Sequence, residues 1–331
     1  MTSFTHLNAL IGQTPMAAIS FFYKGQQATV YIKLEHYNLT GSIKDRIALH
    51  MIRRAYERGE ITPGNIICEG TSGNTGIALS AVGSHLGHKV VIFMPDWMTS
   101  ERISLIKSFG AEVRLLSQQD GGFSAIPRFC ADFAKGGNVF LTQQFDNPDN
   151  IEAHFLTTGA EIIQNLKTFG KTADAFVAGV GTGGTLVGVS KALRQNNPGV
   201  LVYPLEPDNS TAMSGTGKDE PHFIYGIGDG FVPGIMDGFS YKEVITVNQT
   251  DAVIMAQKLS TRLGLGVGIS SGANFLGAVQ VLEKIGFDKT VVSVFSDDNK
   301  KYLSSAYGDV HPEQPGYISK DVELIGFDAV K

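Results

Sequence analysis

The chain is 331 residues long, 43 % hydrophobic and 18 % charged, enough for about two domains at ~150 residues each and too apolar for disorder. No apolar run reaches the ~18–20 residues of a membrane helix, which argues against a membrane-spanning role. The net charge of −5, from 27 basic and 32 acidic residues without a basic stripe, argues against nucleic acid as a partner.

The opening Met1-Thr2-Ser3-Phe4-Thr5-His6 has neither the basic stretch nor the apolar core of a signal peptide. A β-rich run at 30–35 precedes an amphipathic stretch at 43–58. The alternation continues with 65–68 and 75–86, 89–94 and 100–109, 112–116, then 139–143 and 151–166. It resumes with 175–180 and 185–195, 201–205, 244–247 and 251–263, and closes with 272–285 and 291–295. Short apolar strands separated by helices predict an α/β protein with parallel-type sheets covered on both faces. Cys68 and Cys130, 62 positions apart, fit neither a zinc knuckle nor a redox pair, and a reducing, cytoplasmic location is expected.

Glycine, 39 residues in all, is concentrated where strands give way to helices. The junctions are Gly70-Thr71-Ser72-Gly73-Asn74-Thr75-Gly76, Gly179-Val180-Gly181-Thr182-Gly183-Gly184-Thr185 and Gly264 to Gly272, with a further loop Gly226-Ile227-Gly228-Asp229-Gly230. Such loops turn unpaired backbone N–H groups and the positive end of a helix toward an anion. The second junction has the wrong spacing for a dinucleotide fingerprint and lacks the Gly-Lys-Ser/Thr of a nucleotide P-loop. It suits a single phosphate monoester, and the number of loops predicts at least two bound anionic groups.

Lys44 follows Ser42, a good N-cap, in the polar stretch Gly41-Ser42-Ile43-Lys44-Asp45-Arg46. A cation in the first turn opposes the helix dipole, which eases its deprotonation, the condition a Schiff-base lysine needs.

These motifs, in this order, resemble those of the cysteine synthases and cystathionine β-synthases, pyridoxal 5'-phosphate enzymes of the tryptophan-synthase-β fold type. Gly268-Ile269-Ser270-Ser271-Gly272-Ala273, Ile11-Gly12-Gln13-Thr14-Pro15 and Gln144-Phe145-Asp146-Asn147-Pro148 extend the resemblance over residues 8–305. The resemblance implies that Lys44 carries the cofactor as an imine and shuttles the α-proton. It implies that Gly181, Thr182, Gly183, Gly184 and Thr185 hold the cofactor phosphate, that Asn74 meets the ring hydroxyl oxygen and that Ser270 faces the pyridine nitrogen. Thr71, Ser72, Thr75 and Gln144 would bind the substrate carboxylate. A smaller mobile domain at 42–148, inserted in a larger one formed by 1–41 and 149–331, and a homodimer are further implications. The implied activity is β-replacement on cysteine-class amino acids through an aminoacrylate, cysteine synthase-like, with O-acetylserine or cysteine as donor.

The sequence departs from that pattern at Asp229, where family synthases usually have alanine. Three readings stay open: a solvent-facing residue; a base on water that converts cysteine to serine and sulfide; or a partner for the ammonium of a second amino acid in lanthionine or cystathionine synthesis. Asp297 and Asp298 read as a solvated strand end, with shaping of the cofactor ring's edge as the lesser alternative. His85 and His88 read as surface histidines and His154 as a core hydrogen-bonder, so no metal site is expected. Cys68 reads as core packing. Neither the Cys-X-X-Cys-His motif of a haem site nor a regulatory tail is expected.

Overall fold

The computed structural model describes residues 2–218 and 220–331. After a short helix α1 (Thr2–Asn8), strands β1 (Met16–Tyr23) and β2 (Gln26–Leu34) form an antiparallel hairpin. Helix α2 (Lys44–Arg58) leads into β3 (Ile66–Gly70), α3 (Asn74–His85), β4 (Lys89–Pro95), α4 (Ser100–Ser108) and β5 (Glu112–Leu116). Then come α5 (Gly122–Ala134), β6 (Val139–Leu141), α6 (Pro148–Ala153), one wide π-type segment (His154–Gly159) and α7 (Ala160–Thr168). The remainder is β7 (Ala175–Gly179), α8 (Gly184–Asn196), β8 (Leu201–Pro207), β9 (Ile245–Val247), α9 (Gln249–Leu263), α10 (Ile269–Ile285), β10 (Val291–Phe295) and β11 (Val322–Val330).

Two sheets result. The smaller, β5-β4-β3-β6, is wholly parallel, and all its strands lie within 42–148. The larger runs β11-β1-β2-β10-β7-β8-β9, parallel from β2 to β9. The parallel strands follow the expectation: β10 (Val-Val-Ser-Val-Phe) is buried at every position, as a strand covered by helices on both faces must be. Strands β1 and β11 were not expected and add an antiparallel edge. The long stretch expected at 151–166 is interrupted by the π-type segment, which packs against α8.

Apolar clusters on both faces of each sheet hold this together, with α5 covering the second face of the smaller one. Helices α9 and α10 cover one face of the larger sheet, α7 and α8 the other, and α2 and α3 pack on the smaller sheet. Loops at the carboxyl ends of β3, β7 and β10 thereby converge between the sheets, where open α/β folds keep their ligands.

Candidate active site

Helix α2 begins at Lys44, and its start is tied to the larger sheet. The Ile43 N–H donates to the Ser296 carbonyl at 2.8 Å, and Ser42 forms a bridge with Asp297. Ser42 acts as the expected N-cap: Ile43 already has helical backbone angles, Ser42 Oγ accepts from the Lys44 N–H at 3.3 Å, and the Ser42 carbonyl accepts from the Asp45 N–H. Asp45 folds back over the loop instead of serving the helix end, accepting from both Thr40 N–H, at 2.7 Å, and Thr40 Oγ1. Two residues into the helix, Arg46 is buried between Glu35 (2.6 Å) and Glu161 (2.7 Å), with Lys33 also on Glu161 at 2.9 Å. This network joins α2 to β2 and α7.

The Lys44 side chain enters a cleft of about 810 Å³. Every candidate catalytic, cofactor-binding or substrate-binding residue lines it except Gly184, which packs at the start of α8 against the side chain of Asn150. Burial lowers the Lys44 pKa, against the pull of Asp229 and Asp297. Desolvation, the first of these causes, achieves what the sequence reading ascribed to the helix end.

The carboxylate loop follows β3. Thr75 Oγ1 donates to Gln144 Oε1 at 2.6 Å, and Gln144 Nε2 donates to the Gly70 carbonyl at 3.0 Å, so Gln144 fastens the loop to the end of β6. The glycine nest opens α8. The N-cap Gly183 has no side chain, Thr182 Oγ1 accepts from Asn150 at 3.0 Å and more loosely from the Gly184 N–H at 3.4 Å, and Thr185 Oγ1 meets His154 Nε2 at 3.2 Å. His154 is buried and its pKa is pushed well below the usual histidine value by that burial, so it is a neutral hydrogen-bonder that orients Thr185. Ser270, in the first turn of α10, is buried at the far wall.

The residues fit a phosphate-bearing, amine-reactive cofactor. A glycine-rich helix start shares the cleft with a lysine whose pKa is lowered, and Asn74 Oδ1 is buried there without a partner. An acceptor so placed needs a donor from a bound molecule.

Three site residues were missed or misjudged. Asp297 is fully buried, not solvated: its Oδ2 accepts from Asn74 Nδ2 at 2.8 Å and from the Tyr302 hydroxyl. Asp298 is partly buried and caps the following turn through the Lys300 N–H. Arg102, buried on the inner face of α4, lies 4.4 Å from the centroid of Tyr225 and 4.9 Å from that of Tyr302. The available signal was its position four residues before Ile106, a charge on the apolar face of a helix. Elsewhere His88 is buried, bonded to the Tyr56 hydroxyl at 2.6 Å and the Asn65 carbonyl at 2.8 Å, whereas His85 is exposed.

Asp229 sits in the loop of positive-φ glycines at 226, 228 and 230. It is half-buried in the cleft wall; burial pushes its carboxyl up to about 6, and Lys44 opposes the rise. Among the described residues no group of three or more His, Cys, Asp or Glu is arranged to hold a metal, and no helix is long and apolar enough to cross a membrane.

Residues 7–297 match the family model described as pyridoxal-phosphate dependent enzyme. The chain is 42 % identical to a cysteine synthase of Staphylococcus aureus over 91 % of this chain and 96 % of that one. It is 45 % identical to a hydrogen sulfide-producing enzyme of Fusobacterium nucleatum, covering 100 % of this chain and 99 % of that one with a TM-score of 0.97. An O-acetylserine dependent cystathionine β-synthase of Helicobacter pylori follows at 32 % identity, 90 % and 97 % coverage and a TM-score of 0.83. A solved aspartate-to-asparagine mutant of the hydrogen sulfide-producing enzyme is in complex with an α-aminoacrylate intermediate.

Proposed function

The chain belongs to the pyridoxal-phosphate dependent enzymes, and on that footing we propose that it removes sulfide from L-cysteine and puts water in its place, giving serine, with Asp229 as the base. The broader activity, β-replacement or elimination on cysteine-type amino acids with pyridoxal phosphate, is common to the relatives above. The cofactor, when bound, supplies an electron sink for the substrate α-carbon.

The chain's own groups do the rest. Thr71, Ser72, Thr75 and Gln144 bind the substrate carboxylate, the Gly181–Thr185 nest holds the phosphate, and Asn74 and Ser270 orient the ring. Lys44 holds the cofactor and carries the α-proton. The carbon–sulfur bond at the β-carbon breaks with departure of hydrosulfide; a water oxygen bonds to that carbon and its proton passes to Asp229.

The observation that carries this reading is the Asp229 carboxyl in the cleft wall, facing Lys44, with a pKa raised to about 6. A carboxylate there repels hydrosulfide as an incoming nucleophile and is basic enough to accept a proton from a neutral one. The 45 % identity over the full length with a hydrogen sulfide-producing enzyme supports it.

Asp229→Asn tests it. Sulfide and serine formed from cysteine alone should fall by ~10²-fold, the scale of a lost general base. An unchanged rate removes Asp229 from the role, and a thioether as the main product in place of serine turns the assignment to thioether synthesis. The proposal includes a homodimer, measurable by light scattering, and a cytoplasmic location, in keeping with two free cysteine thiols.

A further inference from the structure

Beside the cleft lies a second chamber of about 1700 Å³, open to solvent, and Asp229 belongs to the walls of both. The ends of β3 and β6 and the flank of α5 enclose it, with the exposed rings of Trp97 and Phe231 on its walls. Three carboxylates line it, Glu69, Asp146 and Asp229, and among the described lining residues there is no lysine, arginine or histidine. Lys44 and Arg102 line the cleft alone.

The three carboxylates are not equivalent. Glu69 is buried and fully engaged, accepting from Thr142 Oγ1 at 2.6 Å and from the N–H groups of Gln144 and Gly70 at 3.0 and 2.7 Å. Burial, with the charge of Asp146 adding to it, raises its pKa. Asp146 is exposed and Asp229 half-buried, so two carboxylates meet whatever enters, and no cation on the chamber wall offsets them.

We propose that this chamber admits the acceptor of the β-replacement and selects it by charge, taking neutral and cationic thiols as second substrates and turning anionic ones away. The inference rests on the preceding reading only in that sulfide leaves a cysteine donor. The acceptor sulfur bonds to the donor β-carbon as the carbon–sulfur bond to the departing sulfide breaks. The acceptor's thiol proton passes to Asp229 and leaves with the sulfide, so neither oxidant nor reductant is consumed.

The test gives the holoenzyme L-cysteine with 2-aminoethanethiol, 2-mercaptoethanol or 3-mercaptopropionate, and quantifies each thioether by mass spectrometry. At low salt the cationic thiol should exceed the anionic one by about tenfold in kcat/KM, and the ratio should shrink as ionic strength rises. Asp146→Asn should cut that ratio by about threefold while leaving sulfide release into water unchanged. Differences in intrinsic thiol reactivity cancel when variant and wild type are compared. A ratio that responds neither to salt nor to Asp146→Asn overturns the proposal, as does failure to form any thioether. Should cysteine alone yield no sulfide, the hydrolytic reading fails, and the same series with O-acetylserine as donor still decides the charge selection.

Discussion

Lys44 and Gly181 set the limits of the site at the scale of single residues. A lysine in a cleft that lowers its pKa reacts with an aldehyde at neutral pH, so borohydride treatment of the holoenzyme should attach the cofactor's mass to the peptide containing residue 44. Lys44→Ala should lose both that label and the visible absorption band of the linked cofactor; a label found elsewhere would displace the assignment. Gly181 allows a close approach: a Cβ there would lie 2.2 Å from the carbonyl oxygen of Gly226, which is backbone and cannot swing aside. Gly181→Ala should cost about 1–3 kcal/mol in thermal unfolding and weaken retention of the cofactor on dialysis. Residues of this kind were legible in the sequence because glycine and first-turn lysine carry a backbone or electrostatic meaning that does not depend on distant partners. Asp297 was not. Its burial follows from contacts with Asn74, 223 positions away, and from Tyr302, and an acidic pair followed by Asn-Lys-Lys looks polar to any local reading.

Among the elements, α2 owes its place to ion pairs as much as to packing. Glu161 is held at about 2, well below the usual glutamate value of 4.5, by Arg46 and Lys33 against the desolvation that would raise it. The sign follows from the depression: its stabilisation is complete above pH 4.5 and is lost as pH falls toward 2. Glu161→Gln should therefore destabilise the protein at neutral pH by about 3 kcal/mol, since it takes the one paired carboxylate from buried Lys33 and leaves Arg46 with Glu35 alone, and the gap from wild type should close as the pH is lowered through that window. Thermal melts at a series of pH values would check it; a gap independent of pH would assign the loss to packing instead. The parallel strands and their helices were readable from apolar runs alternating with amphipathic stretches. The β1–β2 hairpin was not, for a definable reason. Its two-residue turn places both Lys24 and Gly25 at positive φ, with Tyr23 paired to Gln26. Such turns are recognised by Asn-Gly or Asp-Gly, and lysine gives no such sign. Strand β11 lies beyond residue 305, where the resemblance stops, and its apolar Ile325 and Phe327 are exposed at the sheet edge, so it carries no buried apolar face to announce it.

The molecule as a whole carries its chemistry in the gap between two sheets, one bearing the carboxylate loop and the other the glycine nest. We propose that the 42–148 unit moves on the larger body when a carboxylate binds; scattering measurements should then show a smaller radius of gyration with a substrate analogue than without, and an unchanged radius would leave the unit rigid. The ties around α2 give such a motion a geometry. The backbone at Ile43 and the guanidinium of Arg46 are both fastened to the larger body, on either side of Lys44. A rotation would pivot about that fixed point, with Thr71 and Ser72 travelling along the outer arc. The reactive nitrogen would keep station while the clamp swept toward it, so substrate could be gripped and released without disturbing the covalent anchor.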